Sequence, residues 1–466
     1  LEDKYDLLII GAGAAGSSAV SALDKTGKRI ALIERNILGG TCLNYGCDPT
    51  KTLLHIANLL YQARHSKRFG LRISEASFDW QEVRQRVQQV ITQLRGGPID
   101  EAEAKLRHEG IDLIHGEASL ISPHEVSVSG KTFYAQRILI ATGSQTVIPP
   151  VEGLQETGYI TNIQAVSLPH LPRRLAIVGG GAIGVEFAQL FHRFGVEVVV
   201  LERSPIIVDK EDRELADKLC ALLSQEGIRL KTNTELKRAR KEPDGKHLTI
   251  SSGEKGEMEL VVDEILMAVG RRPSFEALQL DKAGVQTTKK GIQVDETLRT
   301  TVPHIWAAGD VASPYQFTHI ASAQGKLVAH NAFADRPQRF DDRAISWVTF
   351  THPALAHLGK TEEQLKQEGT PYKVARFSMN ENERAVTLGE TDGMIKVLCD
   401  PEGKILGAHV LADHAGEIIS SLVVAMRNGL TVGQIASSIL PYPTLSEALT
   451  AVAGTLQEQA GSEQTG

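Results

Sequence analysis

Leu7-Leu-Ile-Ile-Gly-Ala-Gly-Ala-Ala-Gly16 is written twice in this chain, returning as Leu175-Ala-Ile-Val-Gly-Gly-Gly-Ala-Ile-Gly184. The repeat continues without a gap, residues 7–35 recurring as 175–203 at a constant offset of 168. Gly11, Gly13, Gly16, Gly27, Glu34 and Arg35 fall on Gly179, Gly181, Gly184, Gly195, Glu202 and Arg203. Each copy reads as an apolar strand, a Gly-x-Gly-x-x-Gly turn, a helix, a glycine break and a second strand ending in Glu. The acid follows the third glycine by 18 residues, close to the ~20 of a dinucleotide-binding unit. In such a unit the first glycine permits a tight turn, the second lets backbone approach a pyrophosphate, and the third lets helix and strand pack closely. The helix N-terminus then presents unpaired N–H groups and a positive dipole end to the phosphates. Glu34 and Glu202 stand where ribose hydroxyls are held, with Arg35 beside the first. Two nucleotides are therefore expected on one chain.

Outward from the repeat, Arg137-Ile-Leu-Ile-Ala-Thr-Gly-Ser144 and Glu264-Ile-Leu-Met-Ala-Val-Gly-Arg271 are apolar strands that stop at a glycine. Each reads as the last strand of its unit, which makes Thr142, Gly143 and Gly270 candidate cofactor contacts. Proline-containing crossovers follow, at Pro149-Pro150 and Pro273. A third strand, Thr300-Thr-Val-Pro-His-Ile-Trp-Ala-Ala-Gly-Asp310, ends on the candidates Gly309 and Asp310, and 321–334 has helical spacing. From 341 the pattern changes to short strands at 345–350, 372–377, 393–399 and 405–411, then helical segments near 415–428 and 446–452. The residues from 457 on read as a frayed polar end. The run from Lys237 to Lys246 reads as a solvated hairpin.

The length of 466 residues, 42% hydrophobic and 23% charged, suits about three globular domains. A net charge of −7 offers no basic field for nucleic acid. The longest apolar runs fall far short of the ~18 to 20 residues that span a bilayer, so no membrane partner is expected. The first residues carry no charged-then-apolar leader, although a chain beginning without Met leaves a trimmed leader or tag open. Four cysteines cannot make a disulfide scaffold, which points to a reducing cytosol and a cytoplasmic protein.

Two of those cysteines lie in Gly39-Gly-Thr-Cys-Leu-Asn-Tyr-Gly-Cys-Asp-Pro-Thr-Lys51. In an ideal helix, positions i and i+5 are ~7.5 Å apart along the axis and point differently, so a bond between Cys42 and Cys47 requires a distorted first turn. Asn44 and Gly46 tolerate such a distortion, and Pro49 suits the start of a regular helix. A helix N-terminus and Lys51 also lower a thiol pKa. Zinc ligation, buried structural thiols and a redox-active disulfide are the competing readings. Zinc lacks a second Cys or His pair of similar spacing. Cys220 and Cys399 read as small core residues.

Gly-Gly-Thr-Cys-x-Asn-x-Gly-Cys-x-Pro-Thr-Lys and the double fingerprint resemble the class I pyridine nucleotide-disulfide oxidoreductases, the family of glutathione reductase, dihydrolipoamide dehydrogenase and mercuric reductase. The resemblance runs from about residue 5 to about 454. It implies an α/β chain with two Rossmann-like dinucleotide-binding domains and a C-terminal α+β dimerisation domain. The expected boundaries are 1–149 and 272–337 for the FAD unit, 150–271 for the NAD(P) unit and 338–466 for dimerisation. The first fingerprint would bind FAD with Glu34, Gly40, Thr41 and Asp310. The second would bind a nicotinamide nucleotide. Cys47 would be the charge-transfer thiol against the flavin and Cys42 the interchange thiol facing the acceptor. Lys51 would lie near the flavin, paired with Glu186.

One departure stands out. Where the family's disulfide reductases take a His-Pro and a Glu from the partner subunit as an acid–base dyad, this chain reads Leu440-Pro-Tyr-Pro-Thr-Leu-Ser-Glu447. Tyr442 replaces the histidine, and a phenol of pKa ~10 does not exchange protons at neutral pH as an imidazole of ~6.5 does. Mercuric reductases carry Pro-Tyr-x-Thr-x-x-Glu here, which makes Tyr442 and Glu447 candidates at a soft-metal site. The tail lacks the paired cysteines that deliver mercury in those enzymes. Asp48 stands where an apolar residue is usual, either raising the thiol pKa or capping the helix. His319 and His352 read as structural. Glu202 favours the free ribose of NADH over the 2′-phosphate of NADPH, with Arg203 leaving NADPH open. The expectation is a homodimeric flavoenzyme passing electrons from NADH to a small disulfide or a soft metal ion. The alternatives are a dihydrolipoamide dehydrogenase-like subunit serving a lipoylated carrier, and an NAD(P)H oxidase or transhydrogenase.

Overall fold

In the computed structural model, which describes residues 4–23, 27–253 and 256–462, the two copies of the repeat build the same ladder. Leu7–Ile10 pairs in parallel with Ile30–Glu34 starting at Leu7 opposite Ile30, and Arg174–Val178 with Glu197–Leu201 so that Leu175 faces Val198. The offset of 168 in sequence is thus an identity of register. The first copy lies inside a five-stranded parallel sheet ordered Ile305–Ala307, Ile138–Ile140, Leu7–Ile10, Ile30–Glu34, Ile111–His115. The second lies in a four-stranded sheet ordered Arg229–Lys231, Glu197–Leu201, Arg174–Val178, Glu264–Met267. Helices cover both faces of such sheets, so their central strands are continuously apolar rather than alternating. All four residues of Leu7–Ile10 are buried.

The glycine turns match as closely. Gly11 has φ +106° and Gly179 φ +110°, and a Cβ on either would sit 2.4 Å from a carbonyl oxygen, of Ala141 or Ala268. That combination of left-handed backbone and contact admits only glycine. Helices Ala14–Leu23 and Ala182–Arg193 follow.

Strands Ser144–Thr146 and Arg271–Pro273, just beyond the two glycine-ended strands, pair antiparallel with each other. The chain then returns to the first sheet, where Ile305–Ala307 becomes an edge. Helix Thr318–Asn331 starts three residues before the spacing suggested. It packs on the first fingerprint helix so tightly that a Cβ at Gly325 would lie 2.0 Å from Ala15 O. The basic run falls in strands Thr234–Glu242 and Gly245–Ser252 of a three-stranded antiparallel sheet, with Arg238 on Glu152 and Arg240 between Glu242 and Glu259.

The C-terminal part is a five-stranded antiparallel sheet ordered Ser346–Thr349, Ala354–Gly359, Ile405–Ala412, Met394–Cys399, Lys373–Ser378. Helices Ala415–Arg427 and Ala448–Ser462 pack on it. Strand Ala354–Gly359 carries no alternation, because Leu355 to Leu358 are all buried, and periodicity alone does not reveal it. The reading of a frayed end from 457 is corrected: Ala448, Leu449, Val452, Ala453 and Leu456 form a buried stripe that carries the helix to Ser462. Residues 463–466 and the first three residues, where the leader reading fell, lie outside the described residues. Among the described residues no helix is long and apolar enough to cross a membrane.

Candidate active site

The cysteine segment folds as two helices, Gly40–Tyr45 and Cys47–Arg64, separated by Gly46 at φ −124°, ψ −114°. That break is the distortion the spacing of Cys42 and Cys47 demands. Asn44 holds it, donating from Nδ2 to Leu38 O and Gly40 O, both at 2.9 Å, while its Oδ1 accepts from Arg95 Nη2 at 2.7 Å. Gly40, at φ +61°, would bring a Cβ to 2.7 Å from Gly13 Cα, so the segment lies directly on the first fingerprint turn. Thr41 is exposed beside it.

Both sulfurs are free thiols in this structure, Cys42 half-buried and Cys47 exposed. Cys47 Sγ lies 3.5 Å from Thr318 Oγ1. The Cys47 thiol is lowered to about 6, chiefly by a hydrogen bond from the Cys42 thiol, with the Thr318 hydroxyl and the Lys51 charge adding; burial and Asp48 oppose. The same sulfur contact, with burial and the Cys47 charge, pushes Cys42 far up. A reduced pair therefore holds one thiolate, on Cys47, and one proton, on Cys42.

Lys51 Nζ bonds Glu186 Oε2 at 2.6 Å, and the other carboxylate oxygen accepts from Phe350 N at 2.8 Å. The ammonium also lies 4.7 Å from the centre of the Phe350 ring. Glu186 is buried, two residues after the third glycine of the second fingerprint. One ion pair thus ties the cysteine helix, the second nucleotide unit and the C-terminal part together.

The two acids at the strand ends make matching bonds. Glu34 accepts from Ala12 N and Asn36 N, both at 2.8 Å, and Glu202 from Gly180 N and Ser204 N, both at 2.6 Å. Each carboxylate fixes its own glycine turn. A cavity lined by Gly11, Glu34, Thr142 and Ser274 opens beside the first turn, and Arg35 there pairs with Glu117. Thr142 Oγ1 donates to Ser274 O at 2.5 Å. Gly143 and Gly270 take φ +69° and +126° at the crossovers. Gly309 N donates to Gln324 Oε1 at 2.8 Å. Asp310 accepts from Ser144 Oγ at 2.5 Å, and Ser144 in turn receives Arg271 through its Oγ at 2.8 Å and its carbonyl at 2.7 Å. Burial lowers the Arg271 guanidinium from its ordinary value. Cradle, helix N-terminus and terminal acid fit a dinucleotide at each turn. Ser144, Arg271, Thr318 and Gln324 were not among the residues singled out from sequence. Ser144 and Arg271 had a signal, each being a polar residue immediately after a strand-ending glycine.

Tyr442 is 70% exposed, and its hydroxyl bonds Glu383. That bond raises the phenol above its ordinary value. Glu447 sits half-buried in the turn Leu445–Glu447. Among the described residues no hydrogen bond or ion pair joins Tyr442 or Glu447 to the cysteines or Lys51. His319 contacts Ser346 O and His352 faces Glu390.

Two dinucleotide folds converging on a dithiol define a two-electron oxidoreductase, and the comparisons with known proteins agree. Residues 5–325 match the family model of pyridine nucleotide-disulphide oxidoreductases, and 345–453 that of their dimerisation domain. Mercuric reductase of Staphylococcus aureus is 35% identical over 98% of this chain and 83% of its own. Dihydrolipoyl dehydrogenase of Thermus scotoductus is 37% identical over 98% of both. The HOCl-induced flavoprotein disulfide reductase RclA from Escherichia coli, solved also as a Cu(II) complex, superposes with a TM-score of 0.86 at 32% identity, covering 97% of this chain and 99% of that one. The chain belongs to the pyridine nucleotide-disulphide oxidoreductase family. It is an FAD-dependent NAD(P)H oxidoreductase with a redox-active disulfide, acting on a sulfur or metal acceptor.

Proposed function

We propose that this chain reduces a soft metal ion or a small disulfide at Cys42 and Cys47, with NADH as donor, as a homodimer in a reducing cytosol. The observation that carries the reading is the Cys42 and Cys47 pair across the helix break at Gly46, seated on the first fingerprint turn with Lys51 bonded to Glu186 at 2.6 Å beside it, in a chain whose Tyr442 is bonded to Glu383. FAD, when bound, supplies the two-electron exchange between nicotinamide and disulfide. It is held by Gly11, Gly13, Gly16, Glu34 and Asp310 in a unit of 1–149 and 272–337; Gly179, Gly181, Gly184 and Glu202 in 150–271 hold the nicotinamide nucleotide. Glu202 excludes a 2′-phosphate and selects NADH. Residues 338–466 pair with a second copy.

For a disulfide acceptor, the Cys42 proton passes to the Cys47 sulfur as the Cys42 sulfur attacks one acceptor sulfur and releases the other as a thiolate, which then takes that proton. The Cys47 thiolate then attacks Cys42, closing the Cys42–Cys47 bond and releasing the second thiol. For a metal, the dithiol gives up two electrons and the one proton it holds as the same bond closes, reducing one ion by two electrons or two ions by one each. The second route needs no base to shuttle protons with an acceptor thiol. It suits a site where Tyr442, raised above its ordinary value, stands in the histidine's place. The mercuric reductases among the relatives and the Cu(II) complex of RclA support it. The 37% identity to dihydrolipoyl dehydrogenase favours a second reading, oxidation of a lipoylated carrier.

The test is steady-state turnover by FAD-loaded protein, with NADH and NADPH in parallel, of Hg(II), Cu(II), glutathione disulfide, lipoamide, a quinone and oxygen, in wild type and Cys42→Ser. The expected outcome is NADH-driven metal reduction lost in Cys42→Ser. Faster turnover of lipoamide than of either metal would move the assignment to the second reading. Acceptor activity indifferent to Cys42 would end both.

A further inference from the structure

Asp48 lies in the first turn of helix Cys47–Arg64, directly after the lower-pKa thiol. Its backbone carbonyl accepts from Thr52 Oγ1 at 2.8 Å. Its carboxylate makes no hydrogen bond and no ion pair among the described residues. It does not cap the helix, whose N-cap position is Gly46 with no side-chain bond. Lys51, one turn on, is engaged at 2.6 Å by Glu186 and reaches Asp48 only as a charge, against the rise that burial gives the Asp48 carboxyl. A half-buried carboxylate without a partner costs stability. The helix dipole returns a part of that cost and accounts for the residue being tolerated. It does not remove the carboxylate's field, which reaches both sulfurs and holds each thiol higher than it would otherwise be.

We propose that Asp48 is a specificity-determining residue that makes the dithiol site select acceptors positively charged near the reacting atom, thiophilic metal cations and cationic disulfides, against anionic disulfides. The inference rests on the dithiol reading above and narrows its substrate class. A fixed anion in the same helical turn as Cys47 attracts one sign of acceptor and repels the other, so its removal acts in opposite directions on the two. A purely structural role would move both acceptors the same way.

The probes are cystamine, a dication, and 5,5′-dithiobis(2-nitrobenzoate), a dianion, each reduced by the FAD-loaded protein with saturating NADH. Asp48→Asn is expected to lower kcat/KM for cystamine and raise it for the dianion, changing their ratio by about tenfold at low ionic strength. The change should shrink in concentrated salt. Asp48→Glu, which keeps the charge, should hold the wild-type ratio. A ratio unchanged within twofold, or a parallel fall for both compounds, overturns the proposal and leaves the dithiol reading intact. Wild-type turnover of both compounds that survives Cys42→Ser overturns the two together.

Discussion

Cys47 has three sources of stabilisation for a thiolate: the Cys42 thiol, the Thr318 hydroxyl and the Lys51 charge. Together they outweigh burial and Asp48 and bring it to about 6. In the reduced protein, site-resolved alkylation by iodoacetamide should therefore show Cys47 reacting first, with a midpoint near pH 6, and Cys42 reacting after it. Lys51→Met removes one of the three and should move the Cys47 midpoint upward; an unmoved midpoint would mean the lysine charge is fully neutralised by Glu186. The sequence carried the helix distortion and the Lys51 contribution, because both follow from local spacing. It did not carry Thr318, which lies 271 residues away and reaches the sulfur only once helix Thr318–Asn331 is seated on the first fingerprint helix. Nor did it carry Glu383, which stands 59 residues from Tyr442 in the chain and bonds it from helix Glu383–Leu388.

At the scale of elements, one buried lysine ties the second nucleotide unit to the C-terminal sheet. Lys396 lies 2.8 Å from Asp212, 2.7 Å from Glu362 and 3.2 Å from Glu214. Asp212 also takes the N–H of Glu214 at 3.2 Å and of Glu362 at 3.3 Å, so one carboxylate serves the first turns of two helices. Removing the cation leaves buried carboxylates facing each other, a change that costs about 3 kcal/mol. Lys396→Met should lower the urea midpoint accordingly at fixed FAD saturation. The pH dependence has a definite sign. Against the opposing effect of burial, bonds from Lys366, Lys396 and Tyr372 lower Glu362 from 4.5 to about 2. Its contribution is complete above pH 4.5 and is lost as pH falls through about 2. Lys396→Met should flatten that acid loss, and an acid profile unchanged from wild type would show that Lys366 and Tyr372 alone hold the carboxylate. None of this was legible in the sequence, because Lys396 sits in a strand whose six residues are all buried, where a charged residue argues against burial until its partners are known.

Over the whole molecule, the regular features came through from sequence because they repeat. A fixed offset of 168 residues became a shared register, a shared glycine geometry and a shared carboxylate contact. What did not repeat had to be seen, and the C-terminal surface is the largest such feature. Ile439 is fully exposed, and Val424 and Tyr442 are 60% and 70% exposed, all within the span matched by the family's dimerisation domain. Apolar exposure of this kind marks an interaction surface rather than a solvated one, and a second copy is the partner this domain implies. Light scattering should give twice the 50.6 kDa of one chain. Ile439→Asp, which places a charge on that fully exposed apolar position, should shift the population toward single chains at low micromolar concentration. The Tyr442 segment makes no hydrogen bond or ion pair to the cysteines of its own chain among the described residues, and in the proposed homodimer the role offered for Tyr442 is one it plays at the cysteines of the second copy. Loss of the dimer should accordingly lower thiol-dependent turnover while the FAD content per chain stays constant. A variant that remains dimeric would place the interface elsewhere on the domain, and one that is monomeric yet fully active would remove Tyr442 from the reaction.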